Sequence, residues 1–205
     1  MAYSTRVAGV LAGAILLIAP LAAQDWPQWR GPNRDGAIAS FKAPSSWPER
    51  LARQWQVEVG LGYATPLVVG SRLYLFTRQG EEEVLQALDA STGKGIWRTS
   101  YPAPFAMNSS TARHRAGPKS TPAFANGRLF TLGMTSIVTA FDAATGKQIW
   151  QKPATKAQPL FHTAMSPLVD GDRVIIHVGG PGDTALNLTA SGSTANALAA
   201  PDARP

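Results

Sequence analysis

An eleven-residue pattern occurs twice in this chain and limits what it can fold into. Ala87-Leu-Asp89-Ala-Ser-Thr92-Gly93-Lys-Gly-Ile-Trp97 and Ala140-Phe-Asp142-Ala-Ala-Thr145-Gly146-Lys-Gln-Ile-Trp150 share Ala-x-Asp-x-x-Thr-Gly-x-x-x-Trp without a mismatch. Asp89 and Asp142 lie 53 residues apart. A period of roughly 50 residues is the mark of a propeller or a related array, in which each repeat buries its faces against its neighbours.

The flanks repeat as well. Thr65-Pro-Leu-Val-Val69, Gly70-Ser71 and Arg72 to Thr77 align with Thr121-Pro-Ala-Phe-Ala125, Asn126-Gly127 and Arg128 to Leu132. Each copy is a short β-rich run, a two-residue turn and a second β-rich run. Asn-Gly suits a type I′ hairpin and Gly-Ser a type II′ hairpin. A third run, Val84 to Leu88 or Ile137 to Phe141, leads into the motif, and a fourth contains the tryptophan. Four antiparallel strands per repeat make one propeller blade.

The motif residues have structural roles in that arrangement. Asp89 and Asp142 accept backbone N–H groups two residues on, and the Thr92 and Thr145 hydroxyls reinforce the turn. Gly93 and Gly146 allow positive φ. Trp97 and Trp150 offer large apolar faces to an adjoining sheet, and the small Ala87 and Ala140 leave room for them.

The ends of the chain depart from the repeat. A third copy begins at Ser166-Pro-Leu-Val169 and turns at Asp170-Gly171, but no Asp-x-x-Thr-Gly follows. Residues 184–205 turn to Ala, Ser, Thr and Asn, which predicts a disordered or out-of-frame tail. The expected blades are 65–100, 121–152 and an incomplete 166–183, within a propeller region spanning 24–183. Upstream, Trp26-Pro-Gln-Trp29-Arg-Gly-Pro-Asn-Arg-Asp-Gly36 is aromatic and turn-rich. Leu51 to Val59 reads as a lone strand, with Trp55 placed like the tryptophan of a fourth strand.

Residues 1–23 read as a secretory signal peptide cut near Ala23. Arg6 gives the positive start, and Val7 to Ala19 form a short apolar core. An uncleaved anchor is the alternative, although the run is short for a span and Pro20 interrupts its end. Export to the periplasm or the extracellular space follows, with no later transmembrane segment. With no cysteine, stability rests on core packing and thiolate metal sites are excluded. The net charge of +6 is dispersed apart from Arg113, His114, Arg115 and Lys119. That cluster is either a phosphate-binding groove or a solvated loop. Export makes nucleic acid an unsuitable partner and leaves a protein or a cell-envelope polymer.

Ala-x-Asp-x-x-Thr-Gly-x-x-x-Trp resembles the tryptophan-docking motif of the quinoprotein-type, PQQ-like repeat β-propellers. The likeness covers residues 25 to about 183. It implies an all-β fold, a partial propeller of about two and a half four-stranded blades, and an N-terminal fragment of a longer ring of seven or eight. A genuine short protein that closes by self-association is the other reading. The family includes pyrroloquinoline quinone dehydrogenases, which also hold calcium, and non-catalytic members such as the propeller subunit of the outer-membrane protein assembly machinery.

No catalytic set transfers onto this chain. No Glu, Asn and Asp trio matches the calcium ligands, and the vicinal disulfide of those enzymes is impossible here. His114, His162 and His177 lack metal-ligand spacing. Glu81-Glu82-Glu83 reads as a solvated loop between two strands. The expected function is a non-catalytic exported binding or scaffold module. The alternative is a fragment of a quinone-dependent dehydrogenase, and only then are pyrroloquinoline quinone and calcium expected. The segment from Arg113 to Lys119, between blades, is the expected ligand-facing loop.

Overall fold

A computed structural model of the chain describes residues 24–39, 41–153, 162–178, 184–191 and 198–199. The signal-peptide reading of residues 1–23 lies outside them, as does most of the tail. The described residues form twelve strands in chain order. The first blade holds β1 (Leu67–Val69), β2 (Arg72–Gln79), β3 (Glu82–Asp89) and β4 (Gly95–Pro102). The second holds β5 (Ala123–Ala125), β6 (Arg128–Leu132), β7 (Val138–Asp142) and β8 (Gln148–Lys152). The third holds β9 (Leu168–Asp170), β10 (Arg173–His177), β11 (Thr184–Thr189) and β12 (Leu198–Ala199). Each is a sheet of four antiparallel strands in sequential order. The fold is all-β, a partial propeller.

Period-two alternation places the core between blades rather than inside one. In β6, Leu129 packs toward the first blade with Leu67, Tyr74, Phe76 and Phe141. Its neighbours Phe130 and Leu132 point the other way, into a second cluster with Val174, Ile176 and Leu188. The middle blade is therefore covered on both faces.

Both copies of the motif fold alike. Asp89 Oδ1 accepts the backbone N–H of Ser91 and Thr92 and both their hydroxyls. Asp142 Oδ1 accepts the N–H and hydroxyl of Thr145. These donors hold both carboxyls below the usual carboxylate range. Gly93 and Gly146 close the turns at φ 71° and 74°. After each turn the register shifts at Ala87/Leu88 and at Ala140/Phe141, so Ile96 and Ile149 bulge outward and are exposed.

The tryptophans join one blade to the next. Trp97 Nε1 donates to the Ala143 carbonyl at 3.2 Å, and Trp150 Nε1 to the Ala190 carbonyl at 2.8 Å. Trp55 does the same to Ala90 at 3.1 Å, and its ring lies over Gly93. Arg72 and Arg128 reach the same carbonyls of Ala143 and Ala190, each at 2.9 Å.

Three local expectations are corrected. Residues 184–189, expected in a tail without order, form β11 and pair along the whole of β10. A ladder needs backbone groups rather than an aromatic residue or a motif, and Leu188 supplies the apolar contact. Residues 51–59 join no ladder among the described residues; Trp55 donates to the Ala90 carbonyl, the Val59 carbonyl accepts from Gln79 Nε2 at 3.3 Å, and just beyond the segment Leu61 bridges to Arg78. Glu83 is not in a solvated loop. Only Gly80 and Glu81 turn, and Glu83 is wholly buried in β3 at the junction of the first two blades.

Candidate binding cleft at the blade starts

The three blades begin alike, and their starts are tied in series. Thr65 N–H donates to Thr121 Oγ1 at 3.0 Å, and Thr121 N–H donates to Ser166 Oγ at 3.0 Å. Thr121 and Ser166 thus each provide the hydroxyl that satisfies the backbone N–H at the start of the preceding blade. The approach segments also touch. Tyr63 N–H donates to the Pro118 carbonyl at 2.8 Å, and any side chain at Gly117 would collide with the backbone of Leu61 and Gly62.

The N-terminal segment is laid across these starts. Asp25 Oδ1 accepts Gly70 N–H at 2.8 Å. Trp26 pairs with Val68 through both backbone hydrogen bonds, and the Pro27 carbonyl accepts Phe124 N–H at 2.7 Å. Arg34 Nη2 then donates to the Pro167 carbonyl at 3.0 Å. One short segment therefore touches all three blades and covers the free edges of β1 and β5.

Between this segment and the blade starts lies a cleft of about 270 Å³ lined by Trp29, Arg34, Tyr63, Thr65, Lys119, Thr121, Ala164, Met165 and Ser166. Among the described residues two cations line it and no carboxylate does. Trp29 and Tyr63 are 46% and 57% exposed, and the Arg30 guanidinium lies 5.5 Å from the Trp29 ring centroid. Arg34 Nε is buried without a hydrogen-bond partner. Behind the cleft, His162 packs edge-on against Phe105, whose face carries the Arg78 guanidinium. Burial holds the His162 imidazole below its ordinary pKa, and the charge of Lys119 adds to that.

The expected ligand-facing cluster is only partly brought together. Lys119 lines the cleft, and His114 shares a second, neighbouring hollow with Lys119 and Tyr63. Arg113 and Arg115 are exposed and line neither. Arg113 Nε instead meets His114 Nε2 at 3.1 Å beside a short 3-10 turn, Ser109–His114. Sequence reasoning missed Arg34, Tyr63 and Met165. Repeat register was the available signal: Tyr63, Lys119 and Ala164 each stand two residues before a Ser/Thr-Pro start.

The site does not suit calcium. That ion takes six to eight oxygen ligands, mostly carboxylate, whereas the cleft presents Arg34 and Lys119. Among the described residues no three His, Asp or Glu side chains cluster as metal ligands.

No curated protein matches the chain. Among solved structures, a europium-containing methanol dehydrogenase aligns at 23% identity and TM-score 0.52, covering 72% of this chain and 26% of that one. The quinohemoprotein alcohol dehydrogenase of Comamonas testosteroni aligns at 24% identity and TM-score 0.51, covering 68% and 21%. These likenesses establish the fold, and the chain spans about a quarter or less of those proteins. The sequence profile of the family described as outer membrane protein assembly factor BamB matches residues 46–202. That match takes in most of the 205 residues, so the chain belongs to this PQQ-like repeat β-propeller family.

Proposed function

We propose that the chain is part of an exported, non-catalytic propeller that binds or scaffolds a protein or a cell-envelope polymer. Export would use residues 1–23 as a signal peptide, and among the described residues no helix is long and apolar enough to cross a membrane. The observation that carries the reading is the cleft: three repeats and the N-terminal segment converge on a concave surface with two cations, two exposed aromatic residues and, among the described residues, no carboxylate. Such a surface suits recognition of an anionic partner. The family description, an outer membrane protein assembly factor, supports a scaffold in the cell envelope. The test is titration of the protein with pyrroloquinoline quinone and calcium, followed by dye-linked alcohol oxidation. No saturable quinone binding and no dye reduction are expected. Stoichiometric binding with calcium-dependent dye reduction would overturn the proposal.

A further inference from the structure

We infer that the cleft takes an acidic saccharide unit, with its carboxylate held by Arg34 and Lys119 and its ring against Trp29 and Tyr63. This deepens the binding reading above and rests on it.

The inference begins with Arg34. Its Nη2 is committed to the Pro167 carbonyl, which fixes the guanidinium, while Nε is buried with no acceptor among the described residues. That nitrogen is as closed to a ligand as to water, so what Arg34 offers the cleft is its fixed positive charge. Lys119 adds a second cation, and among the described residues neither side chain is in an ion pair with an acid. The charge of the cleft therefore remains available to a ligand.

The rest of the lining selects the ligand class. Thr121 and Ser166 use their hydroxyl oxygens as acceptors for backbone N–H groups. The Ser166 hydroxyl hydrogen has no acceptor among the described residues, so it can be donated to a sugar oxygen, whereas Thr121 is buried. Exposed aromatic faces beside polar groups suit a pyranose ring, which has one apolar C–H face and a rim of hydroxyls. A peptide would gain most of its affinity by adding a strand to a free sheet edge. At two of the blade starts that route is blocked, since Trp26 pairs with Val68 in β1 and the Pro27 carbonyl satisfies Phe124 in β5.

Calorimetric titration of the full chain with tri-galacturonate, its methyl ester and a capped tetraglutamate peptide tests the inference. Saturable binding of tri-galacturonate is expected, at least about 10-fold tighter than that of the neutral ester or the peptide. Arg34→Gln and Lys119→Gln should each weaken it about 10-fold. Arg34→Gln also loses the tie to Pro167 and could disturb folding, so half-exposed Lys119→Gln is the decisive variant. No saturable binding of tri-galacturonate, equal binding of the ester or the peptide, or indifference to Lys119→Gln would overturn the inference. If quinone binding were also absent, the scaffold reading would stand while this ligand assignment fell.

Discussion

Trp97 of the first blade donates its indole N–H to the Ala143 carbonyl of the second, at 3.2 Å, while its ring covers the α-carbon of Gly146. The two contacts are separable by mutation. Trp97→Phe keeps a ring and loses the hydrogen bond, at a cost of about 1 kcal/mol. Trp97→Ala also loses the ring's packing and should cost about 3 kcal/mol. Urea unfolding of the three proteins measures both, and equal losses for the two variants would show that the indole N–H alone matters.

Gly146 and Gly127 share nearly the same backbone, φ 74° and 72°. An alanine at either position would carry the left-handed strain of about 1–2 kcal/mol. At Gly127 the new methyl group meets open space, whereas at Gly146 it meets the Trp97 ring. Gly146→Ala is therefore expected to destabilise the fold clearly more than Gly127→Ala. Matching melting temperatures would show that the ring moves aside at no cost.

Glu83 is buried where the first two blades meet. Its carboxylate accepts Met134 N–H at 2.6 Å and Tyr101 Oη–H at 2.8 Å. Burial raises its pKa, and those two hydrogen bonds with the charge of Arg78 only partly offset the rise. Glu83 thus favours the folded state below its unfolded pKa, and that contribution is lost as pH rises from about 4.3 through the folded value. Glu83→Gln can still accept from Met134 and donate to Tyr101, so it should gain stability relative to the native chain between pH 4 and 7. Chemical denaturation across that range is the check, and a difference that stays constant with pH would refute it.

Asp89 and Asp142 give the opposite sign. Their lowered pKa values contribute stability that is present above the usual carboxylate range and lost as pH falls through the folded values. Asp89→Asn and Asp142→Asn should each shrink the acid-induced fall in stability. Acid titrations followed by tryptophan fluorescence would reveal this, and unchanged acid midpoints would count against the turn hydrogen bonds as its source.

The middle blade is covered on both faces, whereas among the described residues the outer two have a neighbouring blade on one side only. Uncovered blade faces and unpaired edges favour association. Sedimentation velocity on this chain should show species larger than a monomer, growing with concentration. A single monomeric boundary over a tenfold concentration range would contradict this.

Much of the fold was legible because its signals are local. Asn126-Gly127 and the Asp-x-x-Thr-Gly turns act through their own backbones, and the spacing of their two copies announces the repeat. Blade three was harder to see because its link to blade two uses a carbonyl. Trp150 donates to the backbone oxygen of Ala190, and every residue type has one.

Taken by itself, the sequence determined the strands of the first two blades, their hairpins, the motif turns and the repeating blade, since alternation and turn chemistry operate over a few residues. The tertiary structure alone decided that Glu83 is buried and that Arg34, Tyr63, Lys119 and Met165 line one cleft. Those outcomes depend on how successive blades stack and on where the N-terminal segment crosses them. Charge clustering along the chain points to Arg113, His114, Arg115 and Lys119, of which only Lys119 lines the cleft, because proximity in sequence does not decide which side chains face one another across a blade junction.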